Sequence, residues 1–260
     1  MINKFYHKVR RDKIYNINNE FIYDQIANRL IDSIDILNIS LNKILEIGAN
    51  SALISNYLIK KFSNANLLTI DISKNKMEYY RYKNFVILDH DEWNIKDNLF
   101  DLIYSNLYIY ISNDFEKLLN NIYNSLKPNG FFITTIPGKN NLNQLKKSMI
   151  KIDLELYGGA YNRFNKSYEI NQIAEYLKKF KFEIPVIEIN KIKIEYTKFN
   201  NLLNDIRYMN LGNLEYLKNK NFEKKNYFKK LENYYWDNYS MNNKIYLDLE
   251  IIFVSAWKNK

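Results

Sequence analysis

Short apolar runs, each ending in a glycine or an acid and each followed by helical spacing, constrain this chain more than any other feature. The run Lys43-Ile44-Leu45-Glu46-Ile47 reads as a buried strand and stops at Gly48. A helix is predicted over 52–62, with Ser51 as its N-cap. The next strand, 67–70, closes at Asp71, and a helix follows over 73–82. A third strand, 85–88, is followed by Asp89, and a fourth is predicted over 102–104. The helix at 115–126 ends in Lys127-Pro128-Asn129-Gly130, which reads as a helix stop and turn before a strand over 131–136. Strand and helix in strict alternation argue for a parallel sheet covered by helices on both faces.

The flanks follow another pattern. Ahead of the first strand, Ile22, Ile26, Leu30, Ile34 and Leu37 recur at helical spacing, which predicts a helix over 21–37. After Pro137-Gly138, helices are expected over 142–156, 169–179, 196–209 and 221–236. Strands are expected over 186–194 and 247–257, with Pro185 at a strand start, where a missing N–H does least harm. The expected fold is α/β: a doubly wound, mostly parallel, seven-stranded Rossmann-like sheet with an antiparallel C-terminal strand. One domain over 1–260 is expected. It comprises a helical cap (1–40), a cofactor-binding core (41–137) and acceptor-side helices with the last strands (138–260). The length suffices for one sizeable core.

Doubly wound sheets bind ligands beyond the carboxyl ends of their strands, at the switch point of the strand order. Gly48 allows a sharp turn and a close approach to the backbone. The N–H groups of the following helix suit a carboxylate. Asp71, about 20 residues on, stands where an acid accepts from ribose hydroxyls. Asp89 stands where an acceptor meets an adenine amino group. A glycine after a strand is also an ordinary turn, and an acid at a strand end is also an ordinary cap. Their conjunction along one sheet edge is what points to an adenosine-containing ligand.

Composition removes other chemistries. The chain has no cysteine, which excludes disulfides and thiolate metal sites, and only two histidines, His7 and His90. A histidine metal centre or a Ser-His-Asp triad is therefore not expected, and no metal is assigned. The net charge is +9, but the lysines are spread along the whole chain, so nucleic acid is not favoured as a partner. No apolar run reaches the length of a membrane span, and residues 1–20 carry no secretory pattern. The expected compartment is the cytoplasm, or the mitochondrial matrix in a eukaryote.

The residues Ile44 to Ala52, Asp71, Asp89, Phe100 to Leu107 and Leu126 to Gly130 resemble the successive motifs of class I methyltransferases. Gly158-Gly159, Arg163-Phe164, Asp205 to Met209 and Glu250 to Lys258 are similar to two groups within them. One is the methyltransferase-like assembly factor of respiratory complex I, which hydroxylates an arginine of a complex I subunit. The other is the malonyl-acyl-carrier-protein O-methyltransferase of biotin synthesis. The resemblance implies S-adenosylmethionine as cofactor. It implies a cofactor site of Glu46, Gly48, Asn50, Asp71, Ile72, Asp89, His90, Asn106 and Leu107. Asn106, Tyr110 and Arg163 become the candidate catalytic or acceptor-binding residues.

Arg163 and Arg207 suit an acidic acceptor, because a guanidinium grips a carboxylate with two hydrogen bonds. Tyr108 and Tyr110 stand where an acceptor pocket closes. The acceptor class is a small acid, an acyl-carrier-bound group or a protein. Three functions fit: an S-adenosylmethionine-dependent methyltransferase, a protein-modifying assembly factor with the same cofactor, and a cofactor-binding protein without activity. Two departures stand out. The usual Gly-x-Gly-x-Gly turn keeps only Gly48, with Asn50 and Ala52 at the later positions. Tyr110 and Ile111 replace a common His-Trp pair. A dinucleotide fits this turn poorly, since its pyrophosphate needs the missing glycines.

Overall fold

A computed structural model describes residues 1–13, 20–37, 39–214 and 224–260. The sheet runs in the order β3-β2-β1-β4-β5-β8-β6, with the short β7 paired to β8. Its strands are β1 (Lys43–Ile47), β2 (Asn66–Asp71), β3 (Phe85–Ile87), β4 (Phe100–Asn106), β5 (Leu126–Pro137), β6 (Phe182–Tyr196), β7 (Ser240–Met241) and β8 (Lys244–Lys258). β1 to β5 are parallel, and β8 inserts antiparallel between β5 and β6. The order reverses between β1 and β4, so the switch point lies at Gly48.

β1 sits in the middle because it is apolar on both faces. Ile44, Leu45 and Ile47 are fully buried, as a strand covered by helices on both sides requires. The helices are α1 (Lys4–Asp12), α2 (Phe21–Asp35), α3 (Leu53–Lys61), α4 (Lys74–Tyr79), α5 (Phe115–Ser125), α6 (Asn143–Tyr157), α7 (Ile170–Lys179), α8 (Phe199–Tyr208) and α9 (Tyr227–Tyr239). Along α2 the buried set includes Ile22, Ile26, Leu30 and Ile34, the stripe its spacing predicts. Among the described residues, no helix is long and apolar enough to cross a membrane.

Several local expectations change. Lys127-Pro128-Asn129-Gly130 belongs to β5 rather than to a turn. The pairing of β4 with β5 shifts register between Phe100 and Leu102, and Asn129 takes φ 60°, so the segment is absorbed as a bulge. Pro185 lies inside β6, not before it. It falls at the register shift between Glu183 and Val186 on an edge strand, where a missing N–H leaves no ladder bond broken. β6 runs on to Tyr196, so the helix expected from 196 starts at Phe199. The helix expected from Asn221 begins at Tyr227, and its first predicted residues, 221–223, lie outside the described residues. α1 has no apolar face and was not legible as a helix: the side chains it buries are His7 and Arg11.

Candidate cofactor site at the strand ends

Gly48 turns at φ 90°, and its N–H donates to the Ile70 carbonyl at 2.8 Å. The turn is held from the neighbouring strand by Asp71. One carboxylate oxygen accepts from the Ala49 N–H at 2.8 Å, and the other accepts from the Ser73 N–H at 2.8 Å. Ser51 accepts from the Leu53 N–H at 3.2 Å and donates to Asp24 at 2.6 Å, which fixes the start of α3. Asn50 is not left-handed, the conformation in which asparagine would best replace a glycine. Its amide instead donates to the carbonyls of Asn106 at 2.6 Å and Leu107 at 3.1 Å, which ties the β1 turn to the end of β4.

The place expected for ribose hydroxyls holds a guanidinium of this chain. Arg11, on α1, pairs with Asp71 through two nitrogens, donates to Asn50 Oδ1, and donates to the Ala49 carbonyl at 3.1 Å. Both partners of the pair are buried, at 1% and 0% exposure. Burial would lower the Arg11 pKa, but the Asp71 charge and hydrogen bonds raise it above the ordinary value, so Arg11 keeps its charge. The guanidinium lies 4.8 Å from the centroid of the Tyr108 ring. That ring fills the concave side of the turn, and a Cβ placed on Gly48 would overlap its Cγ and Cβ.

Around Tyr108 the two histidines close in, with ring centroids at 5.7 Å for His7 and 5.0 Å for His90. Burial, and after it nearby cations, lowers both pKa values; His90 falls to about 4. Both imidazoles are thus neutral at pH 7. Asp89, His90 and Asp91 bring ligand atoms within 4.8 Å of one another, but Lys4 already bridges the two acids, at 2.9 and 2.5 Å. Lys4 thus offsets one of the two negative charges beside the neutral His90.

Gly48, Asn50, Asp71, Asn106 and Leu107 thus form one bonded group. Ile72 joins it by donating its N–H to the Tyr108 hydroxyl at 3.4 Å, and Asp89 and His90 lie beside it across Tyr108. The Asn106 side chain is used internally, donating to the Tyr23 carbonyl at 3.1 Å and accepting from Thr135 at 3.0 Å. Glu46 does not join the group. Its carboxyl meets Thr69 at 2.9 Å and Tyr82 at 3.1 Å in the core. Tyr110 donates to the carbonyls of Met209 at 3.2 Å and Asn210 at 3.3 Å. Arg163 stands apart, gripping the buried Asp153 at 2.6 to 3.1 Å. Arg207 is exposed and donates to Asn204 at 3.0 Å.

Residues the sequence did not single out complete the site. These are Lys4, His7 and Arg11 on α1, and Lys76 on α4. Lys76 is 4% exposed, and its ammonium lies 4.7 Å from the Tyr208 ring centroid; burial, and after it Arg11, lowers its pKa to about 7. None carries a sequence signal, because each lies on a short polar helix.

The Glu46 environment gives a pH prediction. Burial raises its carboxyl to about 8, well above the ordinary carboxylate range. The fold therefore favours the protonated acid. The associated stability is complete below about pH 4.5 and is lost as pH rises through 8. Glu46→Gln is expected to match the parent at pH 5 and to exceed its melting temperature at pH 9. Equal melting temperatures at pH 9 would contradict this.

The polar groups at the strand ends suit a nucleoside. Asp71 and Asp89 offer acceptors, and both ring nitrogens of His7, Nδ1 of His90 and the Tyr23 hydroxyl are buried without a hydrogen-bond partner among the described residues. The space is another matter. Arg11 and Tyr108 fill it, so S-adenosylmethionine does not fit this conformation.

A separate cavity of about 550 Å³ opens beyond the end of β5, lined in part by Lys146, Met149, Tyr161, Arg163, Phe164 and Lys166. A narrow throat shares Lys146, Phe164 and Lys166 with it and reaches Tyr110.

Residues 45–134 match the methyltransferase domain model. The arginine-hydroxylase NDUFAF5 of Dictyostelium discoideum is 26% identical over 92% of this chain and 60% of its own length. Malonyl-[acyl-carrier protein] O-methyltransferase 2 of Ilyobacter polytropus is 27% identical over 91% of this chain and 88% of its own. A crystal structure of a SAM-dependent methyltransferase from Archaeoglobus fulgidus superposes with a TM-score of 0.53 at 15% identity, covering 91% of this chain and 94% of that one. The chain spans only about three fifths of the Dictyostelium relative, 60% of its length. Strand order, switch-point turn and matched residues agree: the chain has the class I methyltransferase fold, and its residues 45–134 match the methyltransferase domain model.

Proposed function

We propose that this chain is an S-adenosylmethionine-dependent enzyme of the complex I assembly-factor type, working as a single methyltransferase-fold domain. The observation that carries the reading is Asp71 at the end of β2, bonded to the Ala49 N–H across the switch point. An acid in that position is what adenosine recognition needs. Asp71 would accept from the ribose once Arg11 has left it, with Asp89 and the Gly48 turn completing the seat. The acceptor would come from the cavity beyond β5. Its lysines, Lys146 and Lys166, suit an anionic group, and its apolar wall of Met149 and Phe164 suits a chain. This favours an acidic or acyl-carrier-bound acceptor and gives weight to the malonyl-acyl-carrier-protein reading. The proposed compartment is the cytoplasm, or the matrix in a eukaryote.

The filled seat favours a second reading, a family member that has lost its activity. Calorimetry with S-adenosylmethionine separates the two: no heat at millimolar cofactor would sink the first. The acceptor proposal has its own test. Burial lowers the pKa of Lys146, so an anion docking beside it is favoured. Lys146→Met is expected to raise KM for malonyl-acyl-carrier protein about tenfold and to leave cofactor affinity unchanged. An unchanged KM would place the acceptor elsewhere.

A further inference from the structure

α1 docks in an unusual way. A surface helix usually buries an apolar stripe, whereas the two side chains α1 buries are both ionisable, His7 and Arg11. The helix is therefore held at the strand ends chiefly by polar bonds, with Tyr6 partly buried against the core. These bonds are Arg11 to Asp71, Asn50 and the Ala49 carbonyl, Lys4 to Asp89 and Asp91, and Ser73 to Asp12 at 2.6 Å. Such an attachment is thermodynamically thin. A buried ion pair gains little net stability once both charges have lost their water. His7 adds a cost, since neither ring nitrogen has a partner among the described residues. The acceptors that Arg11 and Lys4 occupy, Asp71 and Asp89, are the two that the cofactor reading needs.

We propose that α1 is a displaceable internal occupant of the nucleoside seat: Arg11 holds Asp71 in the free protein, and ligand binds only when the helix withdraws. The inference rests on the cofactor reading above. The closed form then reduces the apparent affinity by the fraction of molecules that are open. The ligand shifts this equilibrium only through its preference for the open form.

Calorimetry with S-adenosylhomocysteine on the intact chain tests this. Arg11→Met is expected to tighten binding at least tenfold, about 1.4 kcal/mol. Asn3→Ala and Asp12→Ala loosen α1 from outside the seat. Asn3 accepts from the Tyr6 N–H as the N-cap, and its loss is expected to tighten binding about fivefold. These two variants keep the test valid should Arg11→Met fail to fold. Hydrogen exchange adds a readout that structural damage would not mimic: ligand should speed exchange of the α1 amides. Binding to the variants alone is the strongest supporting result. Binding to the parent that weakens in Arg11→Met, or α1 amides that slow on binding, would overturn the occupant and leave the cofactor reading intact. No binding to any folded variant would overturn both.

Discussion

Gly48→Ala is expected to lower the melting temperature by about 10 °C, through a loss of about 2–5 kcal/mol of stability. Two effects combine. At φ 90° a side chain meets backbone strain, of order 1–2 kcal/mol. The new methyl also overlaps the buried Tyr108 ring, and such overpacking costs about 1–3 kcal/mol. Tyr108 has no room to yield, since Arg11, His7 and His90 pack against it. Thermal denaturation of Gly48→Ala, Tyr108→Ala and the double variant separates the two effects. In the Tyr108→Ala background only the backbone strain should remain, so the cost of Gly48→Ala should fall by about half. A Gly48→Ala protein that melts with the parent would show that the turn is not under the steric control described.

Asp71→Ala is expected to cost up to about 3–5 kcal/mol, the full amount if the Arg11 charge stays in the interior and less by whatever withdrawal of α1 into water relieves. It also leaves the Ala49 and Ser73 N–H groups without their acceptor. Most of the loss should return in Arg11→Met/Asp71→Leu, since well-packed apolar residues often replace a buried pair without penalty. Urea denaturation of Arg11→Met, Asp71→Leu and the double closes this cycle, with Asp71→Ala measured beside it. If Asp71→Ala and the double lose equal stability, the damage lies in the unpaired backbone groups and not in the charge. If neither loses any, Arg11 is not held at this seat in solution.

Much of the architecture was legible locally. β1 declared itself through Ile44, Leu45 and Ile47 with the stop at Gly48, and α2 through its stripe of isoleucines, because burial of apolar side chains imposes a period. Asp71 and Asp89 were legible as strand-end acids for the same reason: the strands before them were. The bulges at Pro128 and Pro185 were not, since a proline marks a break in pairing but not which side of the break stays in the sheet. α1 left no trace in the hydropathy pattern, because the side chains it buries are polar.

The sequence by itself determined the strand-helix order, the parallel core and the edge where its acids gather, since these follow from local periodicity and turn chemistry. Only the tertiary structure decided that β8 slides between β5 and β6, that Lys146 and Arg163 share a cavity apart from Asp71, and that Arg11 sits on Asp71. The physical reason is common to all three. Each joins residues distant in the chain through pairing or charge, and such contacts carry no period that a neighbouring residue could reveal.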